Sequence, residues 1–219
     1  MARMARLVIP DVPHHVTQRG NRRQPIFFRD HDYHHYMALV GRACRRARTA
    51  VWAYCLMPNH VHFVMVPSDE DGLRAALGDA HRRYSRAINE RFGWRGHLWQ
   101  ERFFSCPMDE AHLGASVRYV ERNPIGARLC TTPEQWPWSS ARAHLERRDD
   151  ELVDVRPMLE RVENWRCFVG QSLDQSMQKS IAAHTRLGRP LGQREFVRKL
   201  EEMTGRTLMP RKRGRKPGR

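Results

Sequence analysis

Acidic charge is what this chain has too little of. Its 219 residues hold 39 Lys and Arg against 24 Asp and Glu, a formal net charge of +15 at pH 7. That surplus disfavours basic partners and favours polyanions, nucleic acid being the commonest inside cells. The five cysteines (Cys44, Cys55, Cys106, Cys130, Cys167) are odd in number and scattered without a Cys-x-x-Cys pair. A disulfide scaffold and a zinc ribbon are therefore not expected, and a reducing compartment fits. Apolar runs are all cut by Pro or charge before membrane-spanning length, so no membrane partner is expected. The N-terminal MARMARLVIPDVPHH lacks an apolar core, so no signal peptide is expected and the expected location is cytoplasmic. A Gly-rich nucleotide loop and internal repeats are missing too.

What is present can build a core: 40% of residues are hydrophobic. VPHHVTQ at 12–18 reads as a strand, and Arg19-Gly20-Asn21 as its closing turn. Asp30 is the expected cap of a helix over 31–48, where Tyr33, Tyr36, Met37, Val40, Ala43, Cys44 and Ala47 recur at spacings of three and four. Strands are expected at 51–57 and 59–66, joined at Pro58. A second amphipathic helix is expected over 72–92, stopped by Gly93 and Gly96. The aromatic stretch 97–106 reads as a strand. Asp109 should cap a third helix, 110–123, which Asn123-Pro124 ends.

Strand, helix, strand, strand, helix, strand, helix predicts an α+β fold: a ferredoxin-like, four-stranded antiparallel sheet with helices. The expected division is a catalytic domain over 1–130, a helical C-terminal extension over 131–209, and a basic flexible tail over 210–219. Within the extension, helices are expected near 139–147, 155–183 and 193–204.

The segment LMPNHVHFV is the most informative. Strand alternation puts His60 and His62 on one face and Val61 and Phe63 on the other. Two adjacent imidazoles form half of a divalent-metal site, although His-x-His by itself is weak evidence. In SVRYVERNP, Tyr119 and Asn123 lie one helical turn apart, outside the apolar stripe of Leu113, Val117 and Val120. The Asn123 amide oxygen is a hard donor that could join His60 and His62. Helix geometry leaves open a sideways-packed tyrosine and a simple C-terminal cap at Asn123.

These residues sit in a longer series of ordered blocks: GNRRQPIFF, DHDYHHY, LMPNHVHFV, GHLWQERFFS, YVERNP, WPWSSARAHL and GRPLGQREFVRKLEE. With them the chain resembles the HUH single-tyrosine transposases, most closely the REP-associated tyrosine transposase branch. The resemblance implies a ferredoxin-like palm in which His60, His62 and Asn123 bind Mg²⁺ or Mn²⁺ and Tyr119 is the nucleophile. It implies nicking and joining of single-stranded, hairpin-forming repeated DNA through a 5′-phosphotyrosine, and a monomer rather than a dimer. Gly126 departs from the family's basic residue after its Asn-Pro-x, with Arg128 two places on.

Expected DNA contacts are Arg19, Asn21, Arg22 and Arg23 at the first turn, and Arg82, Arg83 and Arg86 on the second helix. Trp99 is an expected base-stacking platform, with Trp94 nearby. In the tail Arg211, Lys212, Arg213, Arg215 and Lys216 are expected to add salt-sensitive affinity. Tyr84 is a rival nucleophile but falls within its helix's apolar stripe. A domesticated, non-cleaving hairpin-binding protein would use the same basic residues, whereas a hydrolase using activated water would leave no protein–DNA adduct.

Overall fold

A computed structural model describes residues 6–209. The expected tail contacts at Arg211, Lys212, Arg213, Arg215 and Lys216 lie outside the described residues. Strands β1 (His14–Arg19), β2 (Thr49–Met57), β3 (His60–Pro67) and β4 (Phe104–Pro107) pair antiparallel in the order β2-β3-β1-β4. Helix α1 (Asp30–Arg46) joins β1 to β2, and α2 (Gly72–Phe92) joins β3 to β4. This is the expected ferredoxin-like sheet.

Alternation along the strands builds two faces. Val16, Tyr54, Leu56, Val61, Phe63 and Met65 face α1 and α2, forming one core with Tyr36, Leu77 and Tyr84. Ala53, Cys55, Met57, Val64 and Cys106 point the other way, against α3 (Glu110–Glu121). Arg122 links α3 to a short helix α4 (Asn123–Gly126). Pro124 therefore does not end the helical path as expected; it occupies the first turn of α4, where its missing N–H costs nothing.

The remaining helices are α5 (Ala141–Glu146), α6 (Arg156–Leu159), α7 (Trp165–Gly170), α8 (Gln175–Leu187) and α9 (Arg194–Thr204). Together with the segments between them, they add to both cores: Trp138, Ala143, Leu152 and Val155 on the α1/α2 side, and Trp165, Val169, Ile181 and Leu191 on the α3 side. Helix α8 lies against β4 and β1, capped by the Asp174 carboxylate and ended by Gly188 at φ 67°.

Two further boundaries differ from expectation. Helix α1 is held by Asp32 rather than Asp30: its carboxylate accepts the Phe28 and Arg29 amides at 2.9 and 3.2 Å and pairs with Arg91. The fourth strand begins only at Phe104. Residues 97–103 form a loop because Trp99 turns into the core, breaking the alternation, while Glu101 takes φ 59°.

Candidate active site

The site starts from strand register. Thr17 pairs with His62 and Arg19 with His60, while His15 lies opposite Val64, so one face carries His15, Thr17, Arg19, His60 and His62 together. The imidazoles of His60 and His62 lie 4.9 Å apart, centroid to centroid. Helix α3 crosses β2 and β3 and brings the Tyr119 ring to 5.6 Å from His62 and 5.7 Å from His15, edge-on to each. Asn123 Nδ2 stands 3.4 Å from His62 Nε2. Residues 60, 62, 119 and 123 thus share one cleft of about 480 Å³, with Arg19, Gln100 and Glu101 also on its walls.

Helix α3 is anchored beside Tyr119. The fully buried Glu121 carboxylate accepts hydrogen bonds from Ser140 Oγ (2.6 Å), His144 Nδ1 (2.7 Å) and Trp165 Nε1 (3.1 Å). A buried carboxylate without partners would be costly, so these three contacts tie the tyrosine's helix to α5 and α7.

Both imidazoles of the pair are held neutral. Burial, with Arg19 nearby, lowers the His60 pKa to about 4, and burial with the neighbouring His60 and His15 puts His62 well below its ordinary value. Neighbouring atoms decide where the single ring protons sit. Asn59 Nδ2 donates to the Arg23 carbonyl at 3.0 Å, which turns Asn59 Oδ1 toward His60 Nδ1 at 2.6 Å. His60 therefore carries its proton on Nδ1 and leaves Nε2 as a lone pair. His62 Nδ1 is engaged by His15 Nε2 at 3.0 Å. Burial raises the Tyr119 pKa, opposed by Arg19 and by a hydrogen bond to Asn123.

Arg19 is the expected DNA contact that enters this cleft. Asn21, Arg22 and Arg23 form a short turn beside it, with Arg22 and Arg23 at φ 52° and 62°. Such left-handed conformations are uncommon for arginine, and here they leave the Arg23 carbonyl available to Asn59. Gly20 serves the protein's own backbone, since a Cβ there would collide with the Gln24 carbonyl.

Arg82, Arg83 and Arg86 lie on α2, across the sheet from Tyr119. Arg82 and Arg83 converge with Arg46 on Asp79, and Arg86 pairs with Glu90. Trp99 must be corrected: it is only 7% exposed and is stacked on His81 at 4.3 Å, so no base can reach its face. Trp94 is 44% exposed, against Phe28 and Phe92. Tyr84 is buried and donates to the Ile26 carbonyl at 2.6 Å, removing it as a rival.

His15, within the strand read at 12–18, and Asn59 are both absent from the set of site residues expected from sequence. The register was the available signal for His15, which occupies the same alternating face as Thr17 and Arg19.

The profile of the IS200-like transposases matches residues 9–123, just over half of the chain and the whole of this cleft apart from its α8 wall. The chain belongs to that family. A Haemophilus influenzae protein provisionally named REP-associated tyrosine transposase is 21% identical over 116 residues, covering 48% of this chain and 66% of that protein, just under two thirds of its length. A solved structure of a REP-associated tyrosine transposase bound to a REP hairpin superposes with a TM-score of 0.58 at 19% identity. That match covers 71% of this chain and 93% of the other, and it establishes the shared fold. A transposase-like protein of Deinococcus radiodurans matches at a TM-score of 0.40, 18% identity, 56% of this chain and 97% of that one.

Proposed function

We propose that this IS200-like family member nicks and rejoins single-stranded, hairpin-forming DNA, with Tyr119 as the nucleophile. The observation that carries this reading is the meeting of Tyr119 with His60, His62 and Asn123 in one cleft, although the two segments are far apart in sequence. The hairpin partner is proposed by analogy with the structural relative bound to a REP hairpin.

The donor set fits a divalent cation such as Mg²⁺ or Mn²⁺. Two neutral imidazoles direct Nε2 lone pairs into the cleft, and a half-turn of the Asn123 amide presents Oδ1 beside them. Among the described residues there is no cluster of three or more His, Cys, Asp or Glu able to hold a metal, so the amide is the third protein ligand in this reading. Bound there, the cation would supply charge neutralisation at a phosphate oxygen.

The chain's own residues do the rest. Arg19 supplies fixed positive charge at the cleft and, with Asn123, opposes the rise that burial imposes on the Tyr119 pKa. The Tyr119 oxygen attacks phosphorus in line. An O–P bond to tyrosine forms as the P–O3′ bond breaks; the phenolic proton leaves to solvent, and the departing 3′ oxygen takes one up. Reversal by another 3′-hydroxyl joins strands. One phosphodiester replaces another, so no nucleotide triphosphate is consumed.

Incubation of the full chain with a labelled single-stranded hairpin and Mn²⁺, then a denaturing gel, tests the reading. A DNA-shifted protein band is expected. Cleavage without that band would identify a hydrolase, and hairpin retention on a native gel without cleavage would identify a non-cleaving binder; either overturns the proposal.

A further inference from the structure

His15 Nδ1 lies 2.6 Å from Thr185 Oγ1, and Thr185 is on α8, beyond the residues matched by the family profile. The Thr185 hydroxyl has one proton, which goes to the Ile181 carbonyl at 2.8 Å in its own helix. The oxygen therefore accepts from His15, which puts the His15 proton on Nδ1 and leaves His15 Nε2 as an acceptor. His15 Nε2 lies 3.0 Å from His62 Nδ1, so His62 donates to it from Nδ1 and presents an unprotonated Nε2 to the cleft. The opposite wiring would aim an N–H at the cleft and leave His62 unable to bind a cation. Thr185, His15 and His62 are all buried, so water does not compete for these bonds.

His60 gets the same protonation pattern from its sequence neighbour Asn59. His62 instead depends on a residue 123 positions away, reached through His15. Helix α8 also places Ala182 and Arg186 on the wall of the cleft.

We infer that the C-terminal extension is part of the metal centre, with Thr185 acting as a positioning residue that fixes, through His15, which nitrogen of His62 faces the cation. This rests on the metal-dependent reading above. Outer-sphere hydrogen bonds of this kind orient ligating imidazoles and alter metal affinity by roughly 10–100-fold.

The test uses the full chain and the variants Thr185→Val, which keeps the shape but loses the hydroxyl, and Thr185→Ser, which restores it. Nitrogen-15 NMR of the metal-free protein reads the His62 tautomer, and calorimetry with Mn²⁺ alone reads affinity. The wild type and Thr185→Ser should show His62 protonated on Nδ1. Thr185→Val should show a mixture of tautomers and about 10-fold weaker Mn²⁺ binding. An unchanged His62 tautomer in Thr185→Val, or equal Mn²⁺ affinity across the three proteins, would overturn the inference. If the wild type binds no Mn²⁺, the metal-dependent reading fails and the inference with it, while the tautomer arm still reports whether the relay exists. If Thr185→Val melts far below the others, the wild-type spectrum decides: His15 and His62 both protonated on Nδ1 support the inference, and His62 protonated on Nε2 overturns it.

Discussion

Two tyrosine–histidine clusters lie on opposite faces of one sheet. Under α1 and α2, Tyr36, Tyr84, His81 and Trp99 pack with centroids 4.3–6.2 Å apart, and the Tyr36 hydroxyl meets His81 Nε2 at 2.9 Å. Under α3, Tyr119, His15, His60 and His62 stand at similar distances around an open cleft. The same side chains make a core on one face and a candidate reaction centre on the other. The first cluster spends its two tyrosine hydroxyls internally, Tyr36 on His81 Nε2 and Tyr84 on the Ile26 carbonyl. In the second, Asn59 occupies Nδ1 of His60 and His15 occupies Nδ1 of His62, leaving the Nε2 atoms of that pair for the cleft that Tyr119 also lines.

The sharpest break in that comparison comes from exchanging the tyrosines. Tyr119→Phe is expected to abolish the DNA-shifted band on a denaturing gel while hairpin binding on a native gel persists. Tyr84→Phe should keep the band and lose about 1–2 kcal/mol of stability, because it leaves the Ile26 carbonyl unpaired. Persistent capture by Tyr119→Phe would move the nucleophile elsewhere.

Exchanging the histidines should give the next largest effect. His62→Ala is expected to slow Mn²⁺-dependent nicking by at least about 100-fold, whereas His81→Phe should leave the nicking rate within about 3-fold. Similar rates for the two variants would erase the distinction between the faces.

Acid should act on the core cluster through stability. Burial lowers the His81 pKa to about 3, against an ordinary value of 6.5. The unfolded state then holds the extra proton between those values, so this contribution is intact above pH 6.5 and is lost as pH falls toward 3. Its limiting slope is about 1.4 kcal/mol per pH unit. Urea melts at pH 7, 6 and 5 should show a shallower decline in His81→Phe. Some decline remains, because burial lowers His14, His15, His60 and His62 in the same sense. An unchanged slope would mean that His81 is not protonated differently in the two states.

The surface arginines should show the smallest contrast. Arg82→Ala is expected to change hairpin affinity by less than about 2-fold, since Asp79 offsets the charge across the sheet from the cleft. Arg19→Ala should weaken it several-fold and flatten its salt dependence. Equal losses in a binding titration would bring α2 back into the DNA path.

Much of this was readable along the chain. Alternating positions assigned His60 and His62 to one face, and helical spacing put Asn123 one turn from Tyr119, because these relations depend only on local backbone geometry. The element order predicted the four-stranded, antiparallel, ferredoxin-like sheet that the structure has. Trp99 was misread because an aromatic run looks the same whether its rings face solvent or, as here, turn into a core. The arginines of α2 were indistinguishable from Arg19 by composition; Asp79 lies within one helical turn of Arg82 and Arg83, but only folding shows that Arg46 joins them.

By itself, then, the sequence determined the periodic elements, the faces of their side chains and the excess of positive charge. Tertiary structure decided which faces meet: Tyr119 over the paired histidines, Glu121 among α5 and α7, and Thr185 against His15 from 170 positions away. The division has a physical cause. A side chain's direction follows from the torsions of nearby residues, whereas its partner depends on how whole elements pack, and no local pattern encodes that.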